Sequence, residues 1–480
     1  MAVSIDQSPL YDTLPIGQQI IFAVSEPTIV ATKYKVKFVA QVHVSNFPIN
    51  LSNNNALIGT FKTTPNNAGA AIFDFRPVIE TFVKPDHEPQ TTIVANSDSE
   101  YKGTAAQSQM FPIHLVDKFA VSKNSMQRFA INFFIEYSDT ITGAVIDFTL
   151  LDPTATEGYK MFNGVLQYDD VLREFQNDYG FNIDKYYLNG AVDGSGNKVS
   201  SFLSTAPDTQ YARLEDYGTL PFLNVASQTL YPLYGFTINY KDSAGGSLGG
   251  ETVQWNGSNG GATSLGPLSN TRLNYFGAFP ANLQNWSATF QALVAAGTIQ
   301  GGYYTVKAVG SGVGQIWSKT YTINVICPNL KGYEAIRLTW LNKWGTWDYY
   351  TFNMKSTKSV TTNRTSYTQL GGTWNESTFK IAGYKGGKKN FRVNSTEKIT
   401  LNTDFVTEAE GVWFEQLVNS TEVYVLDGYQ TDPSISALNT YAQPATITNS
   451  SYTRKTIAND RLMQYTFEIE KSKMKRTQAV

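Results

Sequence analysis

Residues 337–352 read RLTWLNKWGTWDYYTF, with Trp340, Trp344 and Trp347 inside eight positions and Tyr349, Tyr350 and Phe352 closing the run. Leu338 and Trp340 alternate with polar neighbours, and so do Tyr350 and Phe352, at the two-residue period of a strand. Between them, residues 342–345 begin with Asn and end in Gly, a turn signal. The stretch therefore predicts a β-hairpin faced with aromatics. Such rings most often fill a β-sandwich core. Left exposed, the same six would form a stacking platform for sugar rings or a contact site for a partner protein.

On the C-terminal side, Lys385, Lys388, Lys389 and Arg392 crowd a glycine-rich turn. The simplest reading is the solvated face of a hairpin. The alternative is a contact with an acidic partner surface or with phosphates, which needs only such a patch. Thr407, Glu408, Ala409 and Glu410 spell a capping box, a Thr hydroxyl for an orphan amide and a Glu three residues on to reach back. It opens a helix with Ala409, Val412, Trp413 and Leu417 on its apolar face. Strands are predicted at 397–401, 421–426, 452–457 and 464–470, and the basic tail 471–476 is expected to fray.

On the N-terminal side, Tyr34, Val36, Phe38, Val42 and Val44 alternate with Lys35, Lys37, Gln41 and His43. This predicts a half-buried antiparallel strand with His43 toward solvent. Further strands are read around Phe73 and Phe75, at 133–137 and at 145–150, with 84–107 a long surface excursion. Val165, Tyr168, Leu172 and Phe175 sit at helical spacing. Residues 193–197, DGSGN, resemble the start of a calcium loop. Lys198 stands where Gly is needed and Ser204 where a bidentate Glu is needed, so a turn is the better reading. Two more alternating runs, 234–240 and 321–325, flank a Gly/Ser/Asn-rich tract at 245–261, which suits a flexible loop or hairpin. Cys327, Pro328 and Asn329 then break the pattern. The expected fold is mainly β: three consecutive antiparallel β-sandwich-like domains with a few short helices. These are 1–150, 151–326 with an irregular start, and 327–480, rich in aromatics and with one capped helix.

Length agrees, since 480 residues at about 150 per domain give roughly three. One cysteine, Cys327, excludes an intrachain disulfide and a cysteine metal cluster. His43, His87 and His114 lack ligand spacing, so no metal or cofactor is expected. The first residues lack the basic start and apolar core of a signal peptide, and no run approaches a membrane span. Synthesis in a cytosol and no membrane span are therefore expected. A net charge of −2 argues against nucleic acid as a specific partner.

No nucleophile elbow, zinc-protease motif or cysteine–histidine pair occurs. Glycoside hydrolysis needs only two carboxylates. Asp348 beside Trp347, Glu376 near Trp374 and Glu415 near Trp413 are the candidates. A carboxylate next to Trp is also what any solvent-facing strand edge produces, so no catalytic residue is assigned and no enzyme is expected.

Three pieces carry a family resemblance: WLNKWGTWDYYTF, then NTDFVTEAEGVWFEQLVNSTEVYVL, and near the start FKTTPNNAGAAIFDFRPVIETFV. The order of a W-L-N-x-x-G-x-x-D-Y-x-T-F hairpin, a T-E-x-E-x-x-W helix and an S-x-x-V-Y-V strand resembles structural proteins of tailed bacteriophages, including those of Bacteroidota and the crAss-like group. The opening piece is similar to their F-D-[LF]-x-P-[IV]-[IV] strand. The three quoted pieces make up 61 of the 480 residues. It implies a virion component of the neck, tail or baseplate, made in the bacterial host cytoplasm, whose partners are other copies of itself and neighbouring virion proteins. It supplies no catalytic residues. Two alternatives stand beside it: a carbohydrate-binding adhesin or tail-fibre domain for a host-surface glycan, and a virion-associated glycan hydrolase.

Overall fold

A computed structural model describes residues 3–45, 49, 51, 56–89, 111–146, 154–167, 183, 186–188, 190–223, 233–254, 273–310, 315–327, 332–373, 376–429, 434–449, 451–454, 463–473 and 475–476. The chain is mainly β, in antiparallel sheets with a few short helices. It divides into two compact units: Met1–Ile326 with Leu341–Asp348, and Cys327–Trp340 with Tyr349–Val480.

The first unit opens with a five-stranded sheet in the order Thr13–Pro15, Thr154–Phe162, Met126–Ser138, Tyr34–Ser45, Leu57–Thr63. A three-stranded sheet of Ser4–Gln7, Ile21–Ser25 and Ala70–Asp74 shares one apolar core with it. Phe22 and Phe73 of the smaller sheet each lie 5.8 Å, ring centre to ring centre, from Phe133 of the larger. Period-two alternation on both sheets supplies these inward rings, and burying each contributes about 1.5–3 kcal/mol. This is a sandwich-like arrangement.

Three expectations need correction. His43 is buried, not solvent-facing. Its strand is central, paired by Leu57–Thr63 on one side and Met126–Ser138 on the other. Val39, on the same face as His43, is buried as well, so alternation there marks two covered faces. Second, residue 150 is not where the chain divides. Thr154–Phe162 pairs back onto Met126–Ser138, and Phe119–Val121 pairs onto Leu273–Gly277. Third, the FDFRPVI segment is not all strand. The strand stops at Asp74, whose carboxylate accepts the amide of Arg76, and Arg76–Ile79 is a helical turn with Pro77 near its start.

The rest of the first unit holds a five-stranded sheet, Thr209–Arg213, Tyr321–Ile326, Tyr303–Gly310, Leu233–Lys241, Ser247–Gln254, whose first pair is parallel. A three-stranded sheet, Thr219–Leu223, Leu273–Gly277, Phe119–Val121, contributes Phe276, stacked 4.6 Å from Phe236. The 193–197 segment is a turn, with Asp193 accepting the amides of Ser195 and Asn197. The 245–254 part of the Gly-rich tract turns and becomes the strand Ser247–Gln254. Most of the 84–107 excursion, most of the 165–175 helix, the 255–261 part of the tract and the 147–150 part of the 145–150 strand lie outside the described residues.

The second unit is built on an eight-stranded sheet: Trp347–Phe352, Ile336–Leu341, Val423–Leu426, Ala442–Ile447, Thr466–Lys471, Gly387–Asn402, Thr357–Gln369, with Lys475–Arg476 also paired to Gly387–Asn402. The tail expected to fray is thus ordered at Lys475–Arg476, facing Asn394 and Ser395. Residues 452–454 of the strand expected at 452–457 are not strand, and 455–457 lie outside the described residues. The helix Glu408–Asn419 carries the capping box: Glu410 N donates to Thr407 Oγ1 (3.3 Å) and Thr407 N to Glu410 Oε2 (2.8 Å).

Candidate functional site

The tryptophan hairpin forms as its sequence predicts, from Ile336–Leu341 and Trp347–Phe352. Asn342 builds the turn. Its Oδ1 accepts from Trp344 N (2.9 Å) and Thr346 N (3.2 Å), while its Nδ2 donates to Asp348 Oδ1 (3.0 Å). Gly345 closes the turn at φ 72°, a left-handed conformation that a side chain would strain.

The hairpin's rings are core. In the first unit, Trp344 packs 4.4 Å from Tyr186, and Trp347 meets His114 edge-on at 5.3 Å. Trp347 Nε1 donates to the carbonyl of Asp86 at 2.7 Å. The Asp86 carboxylate in turn collects the amides of Lys123, Asn124 and Ser125 and the hydroxyls of Ser125 and Tyr275. In the second unit, Trp340 lies 4.9 Å from Trp413, and Phe414 receives Tyr350 edge-on at 4.8 Å. Arg337, buried, donates to Thr351 Oγ1 and lies over Tyr349 at 5.2 Å. Trp340, Trp344, Trp347, Tyr349 and Phe352 are all buried, and Tyr350 is half-buried. A sugar platform needs an open ring face, and the three indoles present none.

Each candidate carboxylate has a polar partner of its own. Asp348 is buried in the turn and accepts from Ser204 Oγ at 2.6 Å. Glu376 is exposed and pairs with Lys380. Glu415 accepts from Arg454 Nε at 2.6 Å. Among the described residues no group of three or more His, Cys, Asp or Glu could hold a metal ion. No helix among them is long and apolar enough to cross a membrane.

The exposed feature lies elsewhere. Thr357–Gln369 and Gly387–Asn402 pair in antiparallel register from Thr357↔Thr400 to Gln369↔Gly387. At about 3.3 Å per residue the thirteen residues of the first strand run roughly 40 Å. The rest of the sheet meets this ribbon only along Gly387–Asn402, where Lys398–Asn402 pairs with Thr466–Lys471 and Asn394 and Ser395 pair with Lys475–Arg476. Twelve of the thirteen residues of Thr357–Gln369 are exposed, so neither face is covered. The turn region beyond Gln369 presents Leu370, Phe379, Ile381 (86 % exposed) and Tyr384 (79 %). With Val360, Tyr367 and Phe391, the ribbon holds seven of the twenty large apolar side chains exposed among the described residues, on about a tenth of the chain. That density makes the ribbon the candidate interaction surface.

The predicted cations belong to this ribbon. Lys385 sits in the turn, while Lys388, Lys389 and Arg392 lie on the strand Gly387–Asn402. Near the base, Glu397 accepts Lys475 at 2.8 Å and pairs with Lys471 at 3.4 Å. The hydrogen bond from Lys475, helped by the charge of Lys471, holds its carboxyl below the ordinary glutamate range. Sequence reading found these cations but missed the strand beneath them. Residues 357–369, TKSVTTNRTSYTQ, have no apolar alternation, and their β-branched content was the signal available.

No protein-family model matches the chain, and no curated protein matches it.

Proposed function

We propose that this chain is a non-enzymatic structural protein of a tailed-phage virion, assembling into a ring, collar, tail or baseplate layer through repeated protein–protein contacts. The observation that carries the assembly reading is the ribbon of Thr357–Gln369 and Gly387–Asn402, whose first strand is exposed on both faces and which is dense in exposed apolar side chains. A two-stranded ribbon is marginally stable in water, and a long bare edge invites another chain to pair with it. Assembly covers such a surface by repeating one contact around an axis. The phage assignment draws on the hairpin, helix and strand motifs that resemble virion proteins.

The test is quantitative mass spectrometry of purified particles against the infected-cell lysate. Enrichment of this chain with known capsid and tail components is expected, and its confinement to the soluble lysate would refute the assignment. The adhesin alternative draws on Tyr384, whose exposed ring could stack on a sugar. Glycan-array binding abolished by Tyr384→Ser would favour it.

A further inference from the structure

We infer that the tip of the ribbon binds the surface of an anionic lipid bilayer, apolar side chains entering among the acyl chains and cations meeting the headgroups. Such binding goes beyond the assembly reading, since it uses the turn at the end of the ribbon and not its strands.

Side-chain chemistry changes in order along the ribbon. Asn394 and Ser395 still meet a third strand, Lys475–Arg476. Beyond them, 364–369 and 387–393 pair only with each other among the described residues, a two-stranded arm of about 20 Å at roughly 3.3 Å per residue. At its end Leu370, Phe379, Ile381 and Tyr384 are exposed. Just behind stand Lys388, Lys389 and Arg392, opposite Thr368, Tyr367 and Thr365. Farther back the paired residues are Thr361, Thr362 and Asn363 with Thr396, Ser395 and Asn394. Acyl chains, charged headgroups and water follow in that same order outward from the middle of a bilayer.

The end of the arm is a built surface. Lys380 N donates to Thr373 Oγ1 (2.9 Å) and Thr373 N to the carbonyl of Lys380 (3.1 Å). The ring of Phe379 packs so close to Gly372 that a Cβ there would overlap it. Lys385 Nζ lies over the ring of Tyr384 at 5.8 Å, and tyrosine rings collect at the headgroup level of membranes. Residues 364–392 hold six basic side chains and one acidic, a net +5 in a chain whose net charge is −2. That acid, Glu376, is paired with Lys380. Anionic lipid supplies both complements at once, charge for the cations and an apolar interior for the tip. Nucleic acid would match the charge alone, because Leu370 and Ile381 offer a base neither a ring to stack on nor a hydrogen bond. A protein interface sets its apolar residues centrally within a polar rim, whereas these stand at an extremity.

The experiment is flotation of the full-length protein with vesicles of phosphatidylcholine, alone or mixed with phosphatidylglycerol. Binding to the mixed vesicles is expected, weakening about tenfold or more as salt rises from about 0.05 to about 0.5 M. Little binding to phosphatidylcholine alone is expected. Two variants accompany it: Ile381→Ser with Tyr384→Ser, and Lys388→Glu, Lys389→Glu and Arg392→Glu together. Each, with melting unchanged, should lose about tenfold or more in binding. In a Cys327→Ser background, a fluorophore at Ile381→Cys should be quenched by lipids brominated in their acyl chains, and one at Thr362→Cys should not.

No binding to the anionic vesicles, equal binding to phosphatidylcholine alone, or variants that bind as wild type does would overturn the inference. So would a fluorophore at 381 left unquenched on bound vesicles, the mark of adsorption by charge without entry. Binding of a short DNA duplex lost in the charge-reversed variant, with no flotation, would transfer the surface to nucleic acid and overturn it too. Self-association lost in both variants, with no flotation, would overturn it in favour of a second copy. Flotation of a chain absent from particles would sink the virion assignment alone. A chain enriched in particles that does not float would sink the membrane binding alone.

Discussion

The indole of Trp347 donates a 2.7 Å hydrogen bond to the backbone carbonyl of Asp86, 261 positions earlier in the chain. Both groups are buried, and the Asp86 carboxylate is saturated by three amides and two hydroxyls. Trp347→Phe keeps most of the packing but leaves that carbonyl unpaired. A loss of about 1–3 kcal/mol is expected, read as a lower denaturant midpoint at unchanged slope. An unchanged midpoint would show that the hydrogen bond contributes nothing.

Gly345 is the second test of the hairpin turn. Its φ of 72° is strained for any side chain, and a Cβ there would overlap the carbonyl oxygen of Asn163. Gly345→Ala should cost about 3 kcal/mol or more. The check is thermal unfolding of the full chain. A melting temperature within a degree or two of wild type would contradict the turn geometry.

The capping box gives a smaller effect. Thr407→Ala removes the acceptor for Glu410 N and should cost about 1 kcal/mol. Thr407→Ser should restore most of it, because only the hydroxyl is needed.

Acid should loosen the base of the ribbon through Glu397. The folded state holds this carboxyl below its unfolded pKa, chiefly through the Lys475 hydrogen bond and then through Lys471. The unfolded chain therefore binds the proton more readily. The stabilisation is fully present above the ordinary glutamate pKa of about 4.3 and is lost as pH falls through the lower folded value. Carboxyl NMR should give a midpoint below that of an ordinary glutamate, moving back toward it in Lys475→Met. An unmoved midpoint in that variant would dismiss Lys475 as the cause.

Local signals in the sequence carried through where local chemistry decides the outcome. The capping box at Thr407 and Glu410 and the Asn342–Gly345 turn need only neighbours in the chain, and both form. His43 could not be placed by the same means, because alternation cannot tell a solvated face from a second covered one; the strands flanking it decide. That the chain does not divide at 150 was invisible for a related reason. Strand pairing between 126–138 and 154–162 leaves no compositional trace. The cations of the candidate surface could be read directly. The exposure of Phe379, Ile381 and Phe391 could not, since large apolar side chains imply burial by default.

The first unit is discontinuous: after Ile326 it takes in Leu341–Asp348, which include Trp344 and Trp347. A ribosome delivers the chain from its N-terminus, and domains generally fold in that order as they emerge. This unit cannot complete its packing when its first 326 residues are out. The pocket for Trp347, with the Asp86 carbonyl at its end, stays open until residue 348 has emerged from the ribosome. Throughout that interval the nascent chain holds an unfinished core while the start of the second unit is already leaving the tunnel. Timing of synthesis, and not only final stability, is thus built into where those two tryptophans sit.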